Sequence, residues 1–167
     1  VFGMVSSVSA LSITPSSGTF VTGSETSTLS SEEIAAKMGY ANNPALIMYY
    51  KIEKEGEEGR LATSYYGTSN FEDTATIQWV SGAFITGSPI YLYVKDGNAT
   101  PAYYIYDLTS VWNGKEILEL SGFWPSRGAI SHVSIYGTHC SVPEPFTLLL
   151  LGLGLVGLAG AGRKLKK

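Results

Sequence analysis

The sequence predicts a mainly β protein: an antiparallel β-sandwich or jelly-roll-like domain with one short N-terminal helix, followed by a single C-terminal transmembrane helix. Three observations carry this. Short runs rich in Tyr, Ile, Val and Leu recur every 10–15 residues between residues 46 and 136, as a pleated, half-buried surface selects. The breaks between them hold Gly, Asp and Asn, the residues that tight turns require. Finally, residues 146–162 are seventeen residues without a charge, at the short end of the roughly 17–25 needed to cross a bilayer.

Taken in order, residues 1–10 read as the remnant of a secretory signal peptide. An apolar stub leads to Val8, Ser9 and Ala10, and small residues at Val8 and Ala10 fit cleavage after Ala10. The alternative is an ordinary first strand. Residues 11–140 are then one extracytoplasmic domain, too short to expect two. Its first part, residues 11–29, is rich in Ser, Thr and Gly and reads as loop or weak edge strand. Ser30 and Glu33 have capping-box spacing, Glu32 and Glu33 suit a helix N-terminus, and Ile34, Ala35 and Met38 give one apolar side. Gly39 is a natural stop.

Strands are expected over residues 46–52, 61–66, 74–80, 90–95, 102–108, 116–120 and 129–136. The first two are separated by a charged turn with Gly56 and Gly59 and read as a hairpin. Within 90–95, Ile90, Leu92 and Val94 share one face.

Of the chain's fourteen acidic and eleven basic residues, Glu144 and four of the cations lie in the tail, which leaves the domain at about −6. That balance argues against nucleic acid as a partner, because phosphate binding needs a cationic surface. The mean hydropathy of +0.11 comes largely from the tail. Cys140 is the one cysteine, so no intrachain disulfide forms; a free thiol, an interchain pair and an inert residue all remain open.

Catalytic signals are weak. His132 and His139 are the two histidines, and His132, in mid-strand, reads as a solvated or hydrogen-bonded strand histidine rather than a base. No nucleophile-elbow, zinc-protease or Cys/His metal spacing is present, so no catalytic residue, metal or cofactor is expected and the chain is not read as an enzyme. Glu53, Glu55, Glu57 and Glu58 read as an exposed hairpin tip rather than a calcium cage, which needs six to eight oxygens. Asp96, Gly97 and Asn98 are accounted for by turn chemistry. The eleven Tyr, three Trp and six Phe leave one functional option, because sugar rings stack on exposed aromatic faces. Tyr103, Trp112 and Trp124, with Tyr91 and Tyr93, are the candidates for glycan contact; the alternative is ordinary core packing.

The C-terminal 141–167 stretch is tripartite: Val142, Pro143, Glu144 and Pro145, then the apolar run, then Arg163, Lys164, Lys166 and Lys167 at the end. The prolines stop a helix from running upstream, and the cations favour a cytoplasmic C-terminus. A plain tail anchor explains the run and the cations but not the Pro-Glu-Pro. The arrangement resembles the PEP-CTERM sorting signal of Gram-negative bacteria. That resemblance implies an exosortase as processing partner, an exported precursor anchored in the inner membrane, and later release to the cell surface or outside. Residues 88–145 are also similar to a stretch common in small PEP-CTERM surface proteins: Val94 to Tyr104, Trp112 to Gly114, Leu120 to Pro125 and Gly128 to Val133. This second resemblance implies no catalytic residues. The function expected is a structural surface or biofilm-matrix protein, the alternative an exopolysaccharide-binding module, and a secreted hydrolase comes third.

Overall fold

The computed structural model describes residues 9–40, 46–96, 98–125 and 128–141. The sorting tail, its apolar run and its basic end therefore lie outside the described residues, as do residues 1–8 of the expected signal remnant. Among the described residues, no helix is long and apolar enough to cross a membrane.

Among the described residues, ten strands form two sheets, with one helix. In chain order they are β1 (Ala10–Ile13), β2 (Phe20–Gly23), α1 (Ser31–Lys37), β3 (Ile47–Glu53), β4 (Gly56–Glu58), β5 (Tyr65–Ser69), β6 (Ala75–Trp79), β7 (Phe84–Lys95), β8 (Tyr103–Asp107), β9 (Ile117–Leu120) and β10 (His132–Ser141). A four-stranded sheet has the order β1-β9-β6-β5, and a six-stranded sheet β2-β8-β7-β10-β3-β4. Every pair is antiparallel except β1 with β9.

The main core draws on both sheets: Ile13, Ile77 and Leu118 from one, Tyr50, Leu92, Val94 and Ile135 from the other. A second cluster lies on the other face of the six-stranded sheet, where Ile34 of α1 packs among Tyr91, Tyr93, Tyr103, Ile105 and Tyr136. Consequently β7 is buried on both faces from Pro89 to Lys95. Its strict alternation gave a one-sided strand; the helix is what covers the other side.

The helix is the one its capping residues specify. The Ser30 hydroxyl accepts from the Glu33 N–H at 3.2 Å, and the Glu33 carboxylate accepts from the Ser30 N–H at 2.7 Å. Gly39 follows at φ +75°, a conformation that costs glycine little. Ile34 is fully buried, with Ala35 and Met38 packed beside it.

One expectation is corrected. The hairpin does not join residues 46–52 to 61–66: β3 pairs with β4, in the register Lys51 with Glu58 and Glu53 with Gly56. The chain then passes Gly59, where an added Cβ would lie 2.6 Å from the Tyr49 carbonyl, buries Leu61, and enters the other sheet at Tyr65. The Ser/Thr-rich start, read as loop or weak edge strand, holds two edge strands, for which β9 and β8 supply the pairing that local propensity lacks. A cut after Ala10 would leave Leu11, Ser12 and Ile13 paired to β9.

Candidate functional site

The site sits where the tail leaves the domain. Gly137 of β10 is the last residue paired with β3; beyond it β10 runs on against β7 alone, through His139 with Thr86 and Cys140 with Ile85 to Ser141 with Phe84. The Phe84 N–H donates to Ser141 Oγ at 3.3 Å, and that hydroxyl in turn reaches the Phe84 carbonyl at 3.4 Å. The backbone is therefore held in strand pairing up to the residue before Val142.

Phe84, the first residue of β7, belongs to a patch with the end of β6 and the loop before β9. Trp79 ends β6 and packs edge-on against Phe84 with ring centroids 6.3 Å apart. Lys115 reaches across both rings, its Nζ 4.1 Å from the Phe84 centroid and 4.8 Å from that of Trp79. Lys115 has no carboxylate partner among the described residues. Val80, next along, is 53 % exposed. The Tyr65 hydroxyl fixes the loop that carries Lys115. It donates to the Gly114 carbonyl at 2.7 Å and accepts from the Ile85 N–H at 2.9 Å, and burial pushes its phenol up. Gly114 has φ +81° and lies so close that a Cβ would come 2.1 Å from the Ile85 carbonyl, so glycine alone fits there. Ser9 is at the same end, accepting from the Ile117 N–H at 3.1 Å. The start of β1 and the finish of β10 thus lie at the same end of the domain.

The aromatic residues expected to touch glycan are elsewhere, and the expectation for them is corrected. Tyr103 is fully buried, its hydroxyl donating to Glu25 at 3.0 Å. Trp112 is buried, with its indole N–H on the Glu116 carbonyl at 2.8 Å. Trp124 is buried against Tyr104 and Phe123, with its N–H on the Pro101 carbonyl at 2.7 Å. Tyr91 and Tyr93 lie in the second cluster. A ring stacked on a sugar needs an open face, and none of these five has one. Among the described residues, the most exposed aromatic is Tyr66, at 54 %.

His132 stands on the helix-bearing face of the six-stranded sheet, between Lys95 and Glu53 in register. Burial first, then Lys51 and Lys95, holds its imidazole down to about 4. Its Nε2 and the neighbouring Ser134 Oγ have no partner among the described residues, so no nucleophile–base hydrogen bond joins them. The acidic hairpin is largely committed to structure. Glu53 and Glu58 pair with Lys51, and the Glu57 carboxylate accepts from the Tyr50 hydroxyl at 2.5 Å and the Gly67 N–H at 2.6 Å. Among the described residues no group of three or more acidic, His or Cys side chains is placed to hold a metal. Asp96 organises the loops beyond β7, its carboxylate accepting from the N–H groups of Asn98 and Ala99 and, at 2.5 Å, of Ala129.

A family model described as the PEP-CTERM protein-sorting motif matches residues 141–164. No curated protein matches the chain, and no solved structure does. The match begins at Ser141, where β10 ends. The chain carries a PEP-CTERM sorting motif attached without a spacer to the last strand of its domain.

Proposed function

We propose that this PEP-CTERM sorting domain-containing protein is exported, held at the inner membrane by residues 146–162, and cut by an exosortase within or close to Val142, Pro143, Glu144 and Pro145. The mature product is then a structural β-sandwich of the cell surface or extracellular matrix, with no reaction assigned to it. The observation that carries the reading is the junction between the sorting motif and β10. The motif supports exosortase-dependent sorting of an exported protein, and the pairing of the described residues reaches Ser141, so cleavage beyond Ser141 leaves those strands whole. Intact mass of the protein from its native host, with cell fractions kept separate, tests this. The expected species ends near residues 142–145 and lies away from the inner membrane. Deleting Pro143, Glu144 and Pro145 traps the full-length form, and a mature protein that keeps Arg163 to Lys167 in the inner membrane overturns the reading.

A second reading, binding of exopolysaccharide, is favoured by one surface. On the outer face of the four-stranded sheet, Tyr66 stands opposite Gln78, Thr68 opposite Thr76, and Glu119 between Thr76 and Ser12. An open ring beside a row of hydrogen-bonding side chains suits a sugar chain. Tyr66→Ala then lowers retention on a polysaccharide affinity gel about tenfold while Trp124→Ala acts through folding; equal retention of Tyr66→Ala and wild type removes this reading.

A further inference from the structure

Four residues, Val142 to Pro145, separate Ser141 from the apolar run that starts at Phe146. Even fully extended, the five steps from Ser141 to Phe146 reach only about 18 Å, of which the headgroup layer takes roughly 5–8 Å. A precursor tethered through residues 146–162 therefore holds the Ser141 end of the domain against the headgroups.

The chemistry of that end suits this position. Trp79 and Phe84 are half-buried, Val80 is exposed, and Lys115 covers both rings with its ammonium at the surface. Aromatic rings with apolar neighbours concentrate at the membrane–water boundary, and a lysine stem lies along them with its charge toward anionic headgroups. The opposite end is acidic. Glu53, Glu55, Glu57 and Glu58 lie at the finish of β3 and along β4, and Glu72 joins the loop before β10 through its carbonyl and the Ile130 N–H at 2.7 Å. The two ends are about 30 Å apart along β10, several Debye lengths at physiological salt. Glu116 neighbours Lys115, so the first end is near neutral, and an anionic bilayer repels the acidic end and not this one.

We propose that Trp79, Val80, Phe84 and Lys115 form a docking surface for anionic phospholipid. It stands the tethered precursor upright on the membrane and holds residues 142–145 at headgroup depth. The inference rests on the sorting reading, because the apolar run supplies the tether. With three apolar side chains and one bridging cation, the patch adds orientation to an existing anchor and does not replace one, so removal of the tail frees the domain.

The test uses the full chain in lipid nanodiscs, with Cys140→Ser and a nitroxide at Val80→Cys or, for the far end, at Glu72→Cys. Collision with a water-soluble nickel chelate is read at each label. In discs of phosphatidylethanolamine with phosphatidylglycerol, the label at position 80 is expected to collide several-fold less often than that at 72. Lys115→Glu, checked for native near-UV dichroism, restores the collisions at 80, and phosphatidylcholine discs give a smaller difference. Equal collision rates at 80 and 72 in the phosphatidylglycerol discs overturn the docking surface, including the case in which the patch instead serves a protein partner. A chain that fails to co-elute with the discs overturns the span itself and, with it, the tether on which the docking depends.

Discussion

The imidazole of His132 is buried between two lysines with Nε2 unpartnered, and that arrangement makes stability depend on pH. Its pKa drops from 6.5 to about 4 on folding. As pH falls through about 6.5 the unfolded chain takes up a proton, while the folded chain does so only near 4. This site therefore imposes no penalty above about pH 6.5, and its penalty grows to about 3 kcal/mol as pH falls toward 4. His132→Phe keeps a ring beside Tyr93, now 5.2 Å from the imidazole, and removes the titration. The expected outcome is a urea midpoint that changes less between pH 7 and 4.5 than in the wild type; an unchanged difference would assign the acid sensitivity to carboxylates such as Glu53 and Glu58. The sequence places His132 in a strand as a solvated or hydrogen-bonded side chain, and the structure corrects this: the imidazole is buried and its Nε2 has no partner among the described residues. The sequence could not show the two lysines, because Lys95 and Lys51 reach the imidazole across neighbouring strands. The aromatic residues show the same limit. Period-2 alternation tells which side chains share a face, but for Tyr91, Tyr93 and Tyr103 only the position of α1 decides that the face is covered.

At the scale of elements, local signals were sufficient where the stabilising contacts are local. The capping box of α1 is visible as Ser30 and Glu33 and forms as both hydrogen bonds. Ser30→Ala is expected to lower stability by about 1 kcal/mol, a fall of roughly 2–4 °C in Tm for a chain of this size, with Ile34 and the second cluster loosening first. A Tm within error of wild type would mean that packing alone holds α1. β1 and β2 are the opposite case. Each has four residues of modest propensity at a sheet edge, and its hydrogen bonds come from a strand more than eighty residues away. The β3–β5 connection was misread for a related reason. Both runs have strand-like composition, but Gly59 packed on the β3 backbone and the Glu57 carboxylate bound to the Gly67 N–H carry the chain across from one sheet to the other. Nothing in the spacing of apolar residues encodes that crossing.

For the whole molecule, the arrangement of the two ends ties fold to function. Ser9 and Ser141 lie at one end of the domain, and the acidic hairpin lies at the other. A membrane-directed segment at either terminus would bring the same end of the domain to the bilayer, so the proposed tether and the proposed docking patch would act in one direction. The sequence by itself determined the β-rich class, the helix with its caps, and the sorting motif, because each is written in residues close together along the chain. Propensity, capping and a short motif are properties of local spacing. The tertiary structure alone decided that Tyr103, Trp112 and Trp124 are core, that Tyr66 is open, and that Trp79, Phe84 and Lys115 meet beside Ser141. Those facts depend on which strands become neighbours, and strand pairing is a long-range choice that side-chain periodicity leaves open.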